Sequence, residues 1–111
     1  MIRRTAFFEG KIKSGCEAEF TKLLEGTLIP LWKTFPGAQD VRIFQPADSD
    51  ASAPDYLFVL VTTYPDRETM VAALASTARE KTRHPSELLK SMFDGRVFHI
   101  TFDDRDLSVD L

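Results

Sequence analysis

The stretch "YLFVLVTTY", residues 56–64, decides the fold. It is aromatic, β-branched or leucine throughout, without the polar alternation of a half-exposed strand, so it reads as a strand buried on both faces. "PDRETM", residues 65–70, follows at once. Asp66 suits a helix N-cap, and Met70, Val71, Leu74 and Ala78 recur at helical spacing. Strand therefore runs directly into helix.

Working outward toward the N-terminus, "QDVRIFQP" (39–46) is a further strand, with Val41 and Ile43 on one side and Arg42 and Phe44 on the other; the polar "PADSDASAPD" links it to residue 56. Before it, Phe20, Leu23, Leu24, Leu28, Leu31, Trp32 and Phe35 recur in steps of three and four, which is an amphipathic helix. Pro30 predicts a kink or break near residues 27–30, and "FPG" (35–37) ends the helix. Ser14 and Glu17 have capping-box spacing. "RRTAFFEGKIK" (3–13) is the first strand: Ala6, Phe8, Gly10 and Ile12 share one face, and Thr5, Phe7, Glu9 and Lys11 the other. Gly10 marks a bulge or a close backbone approach.

Toward the C-terminus, Pro85 opens a further short helix with Leu88, Leu89, Met92 and Phe93 as its buried side. "FDG" turns the chain into the last strand, 96–103, and the acidic tail that follows is expected to be loosely held. The order is β-α-β-β-α-β: an α+β, ferredoxin-like sandwich with an antiparallel four-stranded sheet, one domain over residues 1–111. Its helices cover one face of the sheet. The other face carries apolar residues on either assignment, so a homodimer that stacks two such faces is the physical expectation.

The bulk numbers narrow the function. A hydrophobic content of 43% with nine phenylalanines belongs to a folded globule. The net charge of −3, with no basic stripe, argues against nucleic acid. The longest apolar run falls far short of a membrane span, which argues against a membrane partner, and no signal peptide is visible. The single cysteine, Cys16, cannot form an internal disulfide, which fits a reducing compartment and a soluble cytoplasmic protein.

Three segments together, "FFEGKIKSGCEAEFTKLL", "LIPLWKTFPG" and "DYLFVLVTTYPDRETMVAAL", resemble the dimeric α/β barrel superfamily: antibiotic biosynthesis monooxygenase-like proteins, EthD-like proteins and small polyketide cyclases. The resemblance covers about residues 3–103. It is one of architecture, without a catalytic signature. It implies a homodimer and a cavity between sheet and helices for a small apolar or aromatic molecule. For the monooxygenases of the group it also implies no metal or flavin, so no cofactor is expected.

His99 is the first candidate for chemistry. If it shares the more polar sheet face with Glu9, the carboxylate would raise its pKa and fix its tautomer, as a general base needs, and Arg42 would steady a substrate anion from the same side. The structural alternative is a dimer-face histidine, with Phe98, Ile100 and Phe102 packed on the chain's own helices; if the faces are reversed, His99 points into the cavity. His84, before Pro85, caps a helix, sits in solvent, or stands at the cavity mouth. Trp32, Phe35, Phe20 and Tyr56, with Tyr64, are candidates to line the pocket, set against the commoner role of such aromatics as core. No metal site is expected, since neither histidine has a partner at ligand spacing. Cys16 has no paired base and reads as a bystander. Three functions fit: a cofactor-independent monooxygenase, a non-catalytic small-molecule binder, and a cyclase or isomerase using the same base.

Overall fold

The computed structural model describes residues 1–104, and the expectation for the acidic tail lies almost wholly outside the described residues. Four strands, β1 (Ile2–Ile12), β2 (Asp40–Phe44), β3 (Tyr56–Tyr64) and β4 (Phe93–Asp103), form one sheet in the order β2-β3-β1-β4, with every neighbouring pair antiparallel. The helices are α1 (Glu17–Leu23), α2 (Ile29–Trp32), α3 (Arg67–Leu74), α4 (Thr77–Glu80) and α5 (Arg83–Lys90). This is the ferredoxin-like α+β arrangement.

Strand parity sets the two faces. Ala6 and Phe8 of β1, Phe58 and Leu60 of β3, and Phe93 of β4 pack with Phe20, Leu24, Leu28, Trp32 and Leu89 into the main core. Ile2, Tyr64, Met70 and Ala73 form a second, smaller cluster beneath α3. On the other face, Phe7 stacks on Phe98 with ring centroids 4.8 Å apart, and Tyr56 leans on both rings. Phe44, Ile100 and Phe102 stand there 53%, 42% and 45% exposed. The expectation that Phe98, Ile100 and Phe102 face the chain's own helices is therefore reversed. Both faces of β4 carry apolar or half-polar residues, so hydrophobicity alone could not orient it; register does, because His99 lies opposite the buried Ala6.

Local rules explain most of the rest. Asp66 caps α3, accepting from the Thr69 amide at 2.7 Å. The helix does not break at Pro30. A π-helical turn over Leu24–Leu28 absorbs the missing donor, with the Ile29 amide reaching back five residues to Leu24. The capping box at Ser14 does not form: Glu17 accepts from the Gly15 amide, and Cys16 occupies the cap position without a side-chain bond. Val71 and Leu88, expected inside, are 56% and 44% exposed; Ala73 takes the inward position on α3 and Leu89 that on α5. Gly10 is both a close approach and a neighbour of a bulge. It sits directly opposite Gly95, and the β1–β3 register slips between Phe8 and Glu9, leaving Leu57 as the extra residue.

Candidate functional site

The two core clusters do not meet. Between them, under α4 and the start of α5, lies a cavity of about 640 Å³ floored by β1, β3 and β4. The register lays out its floor in rows. Phe8 and Val97 share one row, then Ala6, Leu60 and His99, then Arg4 and Thr62, with Tyr64 in the next row. The floor thus passes from aromatic to cationic along β1. Phe8 and Arg4 are four residues apart, roughly 13 Å at the rise of a strand. Trp32 and Phe35, at the end of the first helical rod, close the aromatic end; Arg79 stands over the polar end beside Arg4 and Tyr64, and Ser86 and Lys90 of α5 also line the cavity.

His99 is the titratable group at the middle of this floor. The residue is solvent-exposed overall, with its ring partly buried among the groups that line the cavity. That burial, with Arg4, Arg79 and Lys90 adding positive charge around it, pushes its pKa down to about 4. The imidazole is neutral at pH 7 and offers one nitrogen lone pair. Burial likewise lowers the pKa of Arg4 and raises that of Tyr64, the latter against the pull of Arg4 and Arg79. Among the described residues no buried side-chain nitrogen or oxygen lacks a partner. The Tyr64 hydroxyl makes no such bond within them, so it opens onto the cavity that it lines.

The structure brings His99, Trp32 and Phe35 together with Tyr64 in this cavity. It separates the others. Glu9 lies on the open face and pairs with Arg96 at 3.1 Å, so no carboxylate supports His99 from β1. Arg42 is on that same open face, paired with Asp40 at 2.7 Å. Tyr56 contacts Phe7 and Phe98 there and does not line the cavity. Phe20 is buried core, in edge contact with Phe58 and Phe93. His84 is exposed on α5 outside the cavity lining. Sequence reasoning missed Arg4, Arg79 and Lys90. For Arg4 the signal was present: it shares its strand parity with Ala6 and Phe8. Arg79 and Lys90 depend on how α4 and α5 fold over the sheet, which no local pattern shows. Among the described residues no group of three or more histidine, cysteine, aspartate or glutamate side chains could hold a metal ion, and no helix is long and apolar enough to cross a membrane.

No family model matches the chain, and no curated protein matches it. Solved structures do match. An EthD-family protein from Bacillus halodurans C-125 superposes with a TM-score of 0.75 at 14% identity, covering 95% of this chain and 99% of that one. An antibiotic biosynthesis monooxygenase gives 0.64 at 19% identity, over 96% of this chain and 100% of that one. SnoaB, a cofactor-independent oxygenase from Streptomyces nogalater, gives 0.64 at 18% identity, over 95% and 93%. At these identities the likeness is one of fold: the chain has the architecture of EthD-family and antibiotic biosynthesis monooxygenase proteins, in agreement with the resemblance read from its sequence.

Proposed function

We propose that this chain is a cofactor-independent, monooxygenase-like enzyme for a small apolar or aromatic molecule bearing an acidic C–H or hydroxyl. The observation that supports it most is a neutral imidazole, His99, set in the floor of a cavity that is aromatic at one end and cationic at the other. The cations that hold His99 neutral also stabilise a substrate anion beside it, so they lower the acidity barrier on the substrate's side. His99 takes the proton, and Arg4, in the place sequence reasoning gave to Arg42, steadies the resulting anion. The anion supplies the electrons that reduce dioxygen. One oxygen atom ends as a carbonyl on the substrate carbon, and the other leaves as water with the two hydrogens that carbon loses. Trp32 and Phe35 shape the apolar wall.

The open sheet face supports a homodimer. Phe44, Ile100 and Phe102 stand exposed around the Phe7–Phe98 stack, an apolar patch of the kind monomers rarely leave in water. The single cysteine supports a cytoplasmic setting.

Oxygen uptake with anthrone as substrate tests the enzyme reading. Uptake above the uncatalysed rate that falls at least tenfold in His99→Gln supports it. Equal rates for the two proteins would sink it. Conversion without oxygen uptake would instead indicate a cyclase or isomerase. The low proton affinity of His99 favours one second reading, a binder without turnover, in which anthrone binds and nothing reacts.

A further inference from the structure

We propose that the ligand of this cavity is an aromatic or acyl carboxylate, its acid group seated on Arg4 and Arg79 and its apolar body against Phe8, Trp32 and Phe35; this rests on the reading of the cavity as the substrate site. Four arginines of the chain are each matched to an acid: Arg3 to Asp104, Arg42 to Asp40, Arg83 to Glu80 and Arg96 to Glu9. Arg4 is different. It is half-buried on the cavity floor, between Thr62 and Thr101 in register, and has no ion-pair or hydrogen-bond partner among the described residues. Arg79 overhangs the same end, and among the described residues its guanidinium donates only to the carbonyl of Leu74, at 3.0 Å. A guanidinium taken partly out of water without an acid is a site left for one.

Charge points the same way. The chain as a whole carries −3. The cavity wall does not follow that balance: with Arg83 and Glu80 paired, Arg4, Arg79 and Lys90 stand against Glu87 alone. A concave positive site on an acidic protein gathers anions by field focusing. The planar fork of a guanidinium fits a carboxylate through two parallel bonds. The span of roughly 13 Å from Phe8 to Arg4, at strand rise, suits a fused-ring or medium-chain body with the acid at one end.

Calorimetric titration with 2-naphthoate, 2-naphthamide and 2-naphthol tests this at low salt. The three probes share a ring system and differ in the head group. Naphthoate is expected to bind about tenfold or more tighter than naphthamide, as a charge-assisted bond in a sheltered site allows. That ratio should collapse to near one in Arg4→Met, shrink in Arg79→Met, and narrow as NaCl is raised. Naphthoate and naphthamide binding within twofold of each other would overturn the carboxylate assignment while leaving the cavity as a binding site. A ratio unchanged in both variants would also overturn it. If none of the three probes binds, the cavity reading fails and the proposal with it.

Discussion

Gly10→Ala should be among the most damaging single-methyl additions in this chain. Gly10 has φ +139°, a region that side chains rarely tolerate, and it lies directly across from Gly95 in the β1–β4 ladder. A Cβ added there would stand 2.0 Å from the carbonyl oxygen of Asp94 and 2.8 Å from the Cα of Gly95. Backbone cannot swing away as a side-chain tip can, so the two strand ends must part by about 1 Å, the shortfall from the least separation real Cβ atoms show. Parting them also disturbs the bond from the Gly10 amide to the Asp55 carbonyl, at 2.8 Å. Strain at such a φ costs about 1–3 kcal/mol, and forced overpacking a similar amount. We expect a loss of about 3 kcal/mol, which in a domain of this size lowers the Tm by roughly 15 °C. Urea and thermal unfolding followed by circular dichroism would measure it. Gly26→Ala is the internal control. Nothing lies within 4 Å of its added Cβ, inside the π-helical turn, so it should raise stability by about 0.5–1 kcal/mol. If Gly10→Ala unfolds at the urea midpoint of the unsubstituted protein, the close-approach argument is refuted.

Leu28, the last residue of the π-helical turn, is fully buried, and Leu28→Ala should cost about 3 kcal/mol in urea unfolding, through lost contacts and the cavity left behind. Replacing Ile100 and Phe102 together by lysine should leave the fold's circular dichroism unchanged and shift sedimentation from dimer to monomer; two proteins sedimenting alike would remove the open face as the interface. His99 gives a signed pH effect. Its folded pKa near 4 lies below the ordinary 6.5, so between those values the unfolded chain binds a proton that the native chain refuses. Stability should therefore fall as pH drops from 6.5 to 4, and it should fall less steeply in His99→Gln. Above pH 10 the raised pKa of Tyr64 acts in the other direction: the unfolded phenol ionises first, stability declines as pH rises, and Tyr64→Phe should blunt the decline.

Much of the fold was legible because local chemistry and the global arrangement agree. The buried run 56–64, the cap at Asp66, the parity of Ala6 and Phe8 and the Gly10 approach are each set by a few neighbouring residues. The orientation of β4 was not legible. Alternation fixes which residues share a side, and the open face here also carries large apolar residues, so Ile100 and Phe102 looked like core. That reversal is what carries His99 away from Glu9 and Arg42 and into the cavity with Trp32 and Phe35. Of the two outcomes that Pro30 allowed, a kink or a break, the break does not occur, because a wider helical turn accommodates the proline. The cationic end of the site arises from packing among β1, α4 and α5, distant in sequence, and only Arg4 left a trace in the strand pattern.

Nuclear magnetic resonance titration with 2-naphthol tests the central claim most directly. The chain has one tryptophan and two histidines, so the Trp32 indole N–H gives one signal and the imidazoles two. Trp32 and His99 line the cavity and His84 lies outside it. Saturable shifts of the Trp32 and His99 signals, with His84 still, are the expected result. Saturable binding that moves His84 or the open-face aromatics and leaves Trp32 and His99 unmoved would contradict the account.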